Sequence, residues 1–464
     1  MITDLKPYPA YKDSGVEWLG EVPAHWEVRR LKNAARVIMG QSPSSNDCSV
    51  ERIGLPFLQG CAEFGVEYPQ PKQFCKAPSK VSPAGAILMS VRAPVGRLNT
   101  ADQQYGIGRG LCAIVPHPGL HQSRFIRFGV IVCLDGLAVL STGSTYDAVS
   151  VADVAGLRIP LPPLPEQTAI VRFLDWAEQR IRRVIRARQR RFKLLEEYKQ
   201  ALIHQAVTGR IDVRTGQPYP AYKDSGVDWL GEVPEHWEVR RLKNAARVIM
   251  GQSPSSNDCS VERIGLPFLQ GCAEFGVEYP QPKQFCKAPS KVSPAGAILM
   301  SVRAPVGRLN TADQQYGIGR GLCAIVPHPG LHQSRFIRFG VIVCLDGLAV
   351  LSTGSTYDAV SVADVAGLRI PLPPLPEQTA IVEYLDAQAT KINAAIAAAR
   401  REIDLLREYR ERLIADVVTG KLDVREVAEK LPDEPEEELE LIEDEAEEKD
   451  VDEIDTLPEE DSDE

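Results

Sequence analysis

The sequence contains no run approaching the roughly 18 apolar residues that cross a bilayer. Its opening stretch, MITDLKPYPAYKDSG, has neither the basic nor the apolar segment of a secretory leader. Both absences predict a cytoplasmic chain with no membrane contact. None of the ten cysteines is spaced CxxC. Five fall in each half (Cys48, Cys61, Cys75, Cys112 and Cys133, then the same set 211 residues later), which leaves one unpaired within a half and predicts reduced thiols. No GxxxxGK[ST] phosphate loop occurs, and GIGRG at 106–110 lacks the GxGxxG spacing of a dinucleotide turn. His117 and His121 are four apart, but Pro118 and Gly119 between them exclude a helical metal pair. No catalytic constellation assembles from these letters, and no cofactor or metal site is expected in this chain.

The 464 residues, 44% of them hydrophobic, allow two or three domains with substantial cores. The net charge of −10 conceals an uneven distribution. Beyond Arg425 stand 22 acidic residues against Lys430 and Lys449, which leaves 51 basic and 41 acidic residues before them. A basic body permits nucleic-acid binding. The acidic end has the composition of a disordered tail. It reads as a solvated solubility segment, as a DNA-like competitor for the basic body, or as a docking arm.

An internal repeat dominates the chain. Residues 25–171 recur as 236–382 without one substitution over 147 positions. The repeat extends upstream in looser form, PYPAYKDSGVEWLGEVPAHW from Pro7 matching PYPAYKDSGVDWLGEVPEHW from Pro218. Within each copy, apolar bursts such as GAILMSV and GLCAIV between Gly, Pro, Ser and Thr suggest short strands. The prolines of LRIPLPPLPEQ mark an extended connector. A helix is expected from Pro165, with Glu166 suiting its positive end, and Gly209 as its stop; Gly420 plays the same part in the second copy.

No proline or glycine interrupts either helix, and each carries apolar residues on alternating 4,3 spacing. In the first these are Ile170, Leu174, Ala177, Ile181, Val184, Leu195, Tyr198 and Leu202, with Arg188 and Arg191 interrupting; in the second Ile381, Leu385, Ile392, Ala395, Ala399, Leu406, Tyr409 and Leu413. Such a stripe predicts coiled-coil pairing of two rods about 64 Å long. The rods have diverged where the globular parts have not. Residues 172–214 and 383–425 share 18 identities in 43 positions, and RRVIRARQRRFK of the first has the alanine-rich AAIAAARREID as its counterpart in the second.

Four stretches together resemble the specificity subunit of type I restriction–modification systems: YPAYKDSGVEWLGEVPAHWEV, SVRAPVGRLN…GIGRG, TGSTYDAVS before IPLPPLPEQTAIV, and LLEEYKQALIHQAVTGRIDVR. The resemblance covers residues 7–425 and repeats in order. It implies an α+β chain: two globular mixed α/β target-recognition domains on two long antiparallel helices, in a pseudo-two-fold cyclic arrangement. The implied segments are an N-terminal piece (1–24) docking at the end of the second helix, recognition domain 1 (25–164), a central helix (165–209), a linker (210–235), recognition domain 2 (236–375), a distal helix (376–420), and a junction with the acidic tail (421–464). The resemblance also implies a non-catalytic subunit that brings double-stranded DNA to two modification subunits and to restriction/translocase subunits. Adenine-N6 methylation from S-adenosylmethionine would belong to the modification subunits, and ATP and Mg to the restriction subunit. This chain agrees in lacking the [DN]PP[YF] motif of a DNA amino-methyltransferase. Because its two domains are identical, the expected target is palindromic and split.

Phosphates and base edges are met by Arg, Lys, Gln, Asn and hydroxyls. Four patches offer them in the first copy. They are Gln41, Ser42, Ser44 and Ser45; Lys72, Gln73, Lys76 and Lys80; Arg92, Arg97, Gln103, Gln104, Tyr105 and Arg109; and Thr142, Ser144, Thr145 and Tyr146. The second copy offers Gln252, Ser253, Ser255, Ser256, Lys287, Lys291, Arg303, Arg308, Gln314, Gln315, Tyr316, Arg320, Thr353, Ser355, Thr356 and Tyr357. Arg92 and Arg109 could instead hold turns, and the hydroxyls could close them. Two other functions compete: a coiled-coil scaffold with paired protein-binding domains, and a self-contained enzyme. Salt-sensitive, sequence-selective DNA binding separates the first from the recognition subunit; methyl transfer by the chain alone would identify the second.

Overall fold

The apolar bursts of each copy become strands buried on both faces. The computed structural model describes residues 5–43, 47–140, 149–255, 258–351 and 360–432, without the side chains of 135–140 and 346–351. The first copy supplies β1 (Tyr11–Asp13), β2 (Glu21–Pro23), β3 (Glu27–Arg30), β4 (Ala35–Met39), β5 (Cys48–Ser49), β6 (Leu55–Leu58), β7 (Gln73–Cys75), β8 (Val81–Ser82), β9 (Ile87–Ser90), β10 (Leu98–Thr100), β11 (Tyr105–Ile107), β12 (Leu111–Pro116) and β13 (Arg158–Leu161). Its helices are α1 (Ser123–Leu140), α2 (Val151–Gly156) and α3 (Leu164–Val207). The second copy repeats the strands and adds α4 (Ser334–Leu351), α5 (Val362–Gly367) and α6 (Leu375–Val418), followed by α7 (Arg425–Lys430).

One sheet runs β10-β9-β12-β4, antiparallel throughout. The other runs β5-β7-β6-β11-β8, with β6 and β11 parallel. Alternation along β9 and β12 decides the layers. Ile87, Met89, Cys112 and Ile114 face the core that holds Phe125 and Phe128 of α1. Leu88, Leu111 and Ala113 face Leu58, Tyr105 and Ile107 of the second sheet. Helices, four-stranded sheet and five-stranded sheet therefore stack as three layers. Each fully buried apolar side chain stabilises the stack by about 1.5–3 kcal/mol. The second copy builds the same layers around Ile298, Leu299 and Met300.

The chain divides into two units, Met1–Arg186 with Ile403–Glu464, and Ala187–Glu402. Each long helix contributes one half to each unit. In the first unit Ile170, Leu174, Ala177 and Ile181 of α3 share a core with Leu413, Ile414, Val417 and Val418 of α6. In the second unit the end of α3 (Leu202, Ile203, Ala206, Val207) meets the start of α6 (Ile381, Leu385, Ile392, Ile396). Start against end is antiparallel pairing. Cross-helix contacts of the second unit run the same way: Arg188 pairs with Glu402, and Lys199 Nζ donates to Asn393 Oδ1 at 3.0 Å.

The seam departs from the 4,3 spacing read in the sequence. Val184, Tyr198 and Tyr409 are exposed, at 43%, 54% and 44%. The core-facing line instead recurs every eleven residues: Ile170, Ile181, the half-buried Phe192 and Ile203 on α3, and Ile381, Ile392, Ile403 and Ile414 on α6. Eleven residues in three turns is 3.67 per turn, close to the 3.6 of a straight helix. A heptad stripe would need underwinding to stay on the seam, and these helices do not keep it.

Both helices end as their glycines require. Gly209 and Gly420 lie at φ +73° and +77°, and Arg210 and Lys421 donate back to the carbonyls of Gln205 and Asp416. A Cβ at Gly420 would also overlap Pro23. At that spot the N-terminal segment lies against the end of α6. Tyr11 donates to the Gly420 carbonyl at 3.1 Å, and Asp423 N–H donates to Lys6 O at 2.8 Å. Glu166, buried in the first turn of α3, ties the junction together. It accepts from the Trp26 indole at 2.7 Å, contacts His25 Nε2 at 2.7 Å and accepts from Arg425 at 3.0 Å. In the second unit Glu377 holds Trp237, His236 and Arg214 in the same way.

Candidate nucleic-acid interface at one end of each module

Register fixes which candidates meet. Met39, Ser90 and Leu111 lie at one end of the four-stranded sheet, because Cys112 pairs with Met39 and Leu111 with Ser90. Leu58 and Ile107 end side by side in the five-stranded sheet. The loops leaving these positions carry Gln41, Ser42, Gln59, Lys80, Arg92, Arg97 and Arg109. Backbone bonds weave them together: Gln41 N–H donates to Ile107 O, Gly108 N–H to Leu58 O, Ile107 N–H to Lys80 O, and Val91 N–H to Gly110 O. All these side chains are exposed except Ser42, which is half-buried.

The glycines of GIGRG serve this weave. A Cβ on Gly40 would overlap the Gly108 carbonyl, and one on Gly110 would lie 2.6 Å from Gln59 O. Three loops pack backbone to backbone, and the side chains of Gln41, Gln59 and Arg109 are left to point outward as a group. Arg109 Nε donates to Ser42 Oγ at 2.9 Å, and Arg320 repeats the bond to Ser253 at 3.0 Å. One Arg donor is thereby oriented by a neutral hydroxyl, and the guanidinium keeps its charge and its remaining donors. Four cations and three polar side chains on one rim suit a phosphate backbone and the base edges beside it.

Other candidates fall elsewhere. Tyr105 and Tyr316 are corrected to core residues: both are 1% exposed, and each hydroxyl donates to an aspartate, Asp102 or Asp313, at 2.6 Å. Burial, then the aspartate bond, pushes each phenol up to about 12, so neither offers a base-reading group. Gln103 and Gln104 are exposed but precede β11 and so stand at its opposite end. Lys76 leaves β7 level with Leu55, also at the far end, and its N–H donates to Asp47 O. Lys72 precedes that strand and Gln73 opens it; both are exposed. In the second copy Gln252, Lys291, Arg303, Arg308 and Arg320 gather with Ser253, whereas Lys287, Gln314 and Gln315 lie at the far end; Ser255 is exposed on the loop. Ser44, Ser45, Ser256, Thr142, Ser144, Thr145, Tyr146, Thr353, Ser355, Thr356 and Tyr357 lie outside the described residues. Val149, the first described residue after residues 141–148, lies at the rim, its N–H donating to Val91 O at 3.0 Å.

Sequence reasoning missed Gln59 and Gln270. Gln270 Nε2 reaches Ser253 Oγ at 3.4 Å. The available signal was a single polar residue closing the apolar strand LPFLQG. Among the described residues no group of His, Cys, Asp and Glu could hold a metal ion, and no helix is long and apolar enough to cross a membrane.

Comparison with known proteins converges on one family. Residues 23–187 and 234–400 match the type I restriction modification DNA specificity domain. The putative type I restriction enzyme MjaX specificity subunit of Methanocaldococcus jannaschii is 34% identical over 271 residues, 58% of this chain and 60% of that one. The MjaIX specificity subunit of the same organism is 21% identical over 88% of this chain and 96% of that one. A chain solved in work on complex assembly and conformational transition of the type I R-M system superposes with a TM-score of 0.67 at 28% identity, covering 86% of this chain and 99% of that one.

Proposed function

The chain belongs to the type I restriction–modification DNA specificity family, and on that premise we propose that each of its modules reads one half of a split, palindromic DNA target. The observation that carries this reading is the rim of Gln41, Ser42, Gln59, Lys80, Arg92, Arg97 and Arg109, present in two copies of identical sequence. Arg and Gln are the residues that discriminate guanine and adenine edges in the major groove, and Lys and Ser suit phosphate. Identical readers see identical words. Antiparallel pairing of the helix halves inside each unit favours readers facing in opposite senses, hence inverted half-sites separated by unread bases.

In this reading the chain supplies recognition and not chemistry. Methylation of adenine N6 falls to two modification subunits that bind S-adenosylmethionine, and cleavage to a restriction subunit using ATP and Mg. The helices offer those partners a surface. Leu194 and Tyr198 of α3 and their counterparts Leu405 and Tyr409 of α6 are exposed apolar side chains, in the stretches LLEEY and LLREY that differ at one position. Exposed Leu–Tyr pairs one turn apart form a stripe that a partner helix can cover.

The test is to express the chain with its modification partner and map methylated adenines across the genome. The expected result is one motif made of a short word, a spacer and the reverse complement of that word. Two words in the same orientation, or two unrelated words, would contradict the proposed geometry. No methylation, together with salt-insensitive DNA binding, would favour a protein-binding scaffold instead.

A further inference from the structure

Two of the five cysteines in each copy stand opposite each other on neighbouring strands. Cys48 of β5 pairs with Cys75 of β7, and Cys259 pairs with Cys286 in the second copy. The backbone bonds tell which kind of antiparallel pair this is. Lys76 N–H donates to Asp47 O at 2.9 Å, one step outside the cysteines, and Lys287 N–H donates to Asp258 O at 3.0 Å. Hydrogen-bonded and non-hydrogen-bonded pairs alternate along such a ladder, so the cysteines form the non-hydrogen-bonded kind. Their side chains then share one face of the sheet, with Cα atoms about 4.5 Å apart. A disulfide needs roughly 4.4–6.8 Å between Cα atoms. All four thiols are free, Cys75 and Cys286 buried and Cys48 and Cys259 half-buried, so a reagent meets Cys48 and Cys259 first. The other three cysteines of the first copy have different neighbours. Cys112 stands opposite Met39 and Met89, Cys133 donates to the Arg158 carbonyl at 3.1 Å, and Cys61 opens the helical turn Cys61–Glu63.

We propose that Cys48 with Cys75, and Cys259 with Cys286, are oxidation sites that close cross-strand disulfides under a sustained disulfide oxidant such as oxidised glutathione, and that each bridge fastens an edge strand. The electrons balance in two exchanges. The Cys48 thiolate attacks one sulfur of the oxidant and expels a glutathione thiolate. Cys75, having lost its proton, then attacks the Cys48 sulfur and expels the second glutathione. The two cysteines give up two electrons and two protons, and the oxidant ends as two glutathione thiols. Burial, then Cys75 and Asp47, push the Cys48 thiol up to about 12, and burial, Cys286 and Asp258 do the same at Cys259. Each thiol is therefore protonated at neutral pH and exchanges slowly, so the pair answers a lasting oxidant and ignores a brief one. The consequence falls beside the reading rim. β5 is two residues long and lies at the edge of its sheet, held by β7 alone. Ser42, at the rim, precedes Cys48 by six residues. A bridge to β7, which β6 holds on its other side, anchors the chain close to where it leaves the rim.

The test follows thiols and needs no DNA, so it stands apart from the recognition reading. The full chain is equilibrated in mixtures of reduced and oxidised glutathione, quenched with N-ethylmaleimide and digested with trypsin. The expected product is VIMGQSPSSNDCSVER joined to QFCK through their cysteines. Both copies yield these two peptides, so two variants assign the partners. The C259S/C286S chain should form the link and run as a monomer on a non-reducing gel. The C48S/C286S chain, which keeps Cys75 and Cys259, should form none. Thermal melts under reductant check that both variants fold, and the unsubstituted chain reports the link without any substitution. Backbone hydrogen exchange over residues 47–49 should slow about tenfold or more on oxidation. The proposal is overturned by a link to Cys61 in place of Cys75, by a link in the C48S/C286S chain, by no link in the most oxidising mixture, or by exchange that the bridge leaves unchanged.

Discussion

At the scale of single residues, Arg109 has the best-defined task. Ser42 accepts from its Nε at 2.9 Å and orients the guanidinium on a rim packed so closely that a Cβ at Gly40 would overlap the Gly108 carbonyl. Arg109→Ala should weaken target binding by about 1–3 kcal/mol, the value of a well-placed Arg–base contact, while thermal stability changes little; a fluorescence-anisotropy titration against target and non-target duplexes measures it. Ser42→Ala should cost less, since the guanidinium survives and only its orientation loosens. Asp212 has a structural task. Two hydrogen bonds from the Arg214 side chain hold its carboxyl below the usual range, and burial opposes them. Because the folded value is the lower one, the pair contributes fully above the ordinary Asp value near 4 and is lost as pH falls through the depressed value. Arg214 is half exposed, so Asp212→Asn should cost only about 1 kcal/mol in urea denaturation at pH 7. Variant and parent should converge once the pH has fallen through that depressed value and the parent carboxylate is itself protonated. Tyr105 shows the limit of reading residue types: a tyrosine between polar neighbours suggested a base contact, and strand pairing turned it inward onto Asp102.

At the scale of elements, local pattern was legible and long-range register was not. Proline exclusion, the Glu166 position and the terminal glycines marked the helices to within two residues of Leu164–Val207 and Leu375–Val418. The seam was misread because heptad and eleven-residue stripes agree through Ile170, Leu174, Ala177 and Ile181 and part company only afterward. Beyond that point Val184 and Tyr198 satisfy apolar spacing but sit off the buried line. The distinction has an energetic consequence. Ile403→Ala removes a buried seam side chain and should destabilise the chain by about 2–5 kcal/mol. Leu405→Ser with Tyr409→Ser alters exposed positions and should stay within about 0.5 kcal/mol each. The same double variant should lose co-purification with the modification subunit, which Ile403→Ala in its folded fraction should keep. If both variants behave alike in melting and in co-purification, the exposed pair has no partner-binding role. Likewise, GAILMSV and GLCAIV announced strands, but only the pairing of β12 with β9 and β4, and of β11 with β6 in the other sheet, showed that their ends bring Gln41, Arg92 and Arg109 to one rim.

At the scale of the whole molecule, identity of the modules makes a demand that two unlike modules would escape. If the target is an inverted repeat, a duplex with one half-site replaced is the same molecule whichever half-site is chosen, apart from its flanks, because turning the DNA end for end exchanges the two. A complex carrying Arg109→Ala in one module can then choose the orientation that lays the impaired module over the replaced half-site. The losses from protein and DNA should fall well short of additive. Parent protein on half-replaced DNA, and Arg109→Ala on half-replaced DNA, should differ by much less than the 1–3 kcal/mol expected on intact target. Arg320→Ala should give the same numbers, since it is the same lesion in the other copy. A direct repeat allows no such exchange. There Arg109→Ala would couple with replacement of one half-site and add to replacement of the other, and Arg320→Ala would show the opposite pattern. Four duplexes and three proteins, titrated at one fixed salt concentration because phosphate contacts make every affinity salt-dependent, therefore separate the two geometries through binding energies alone.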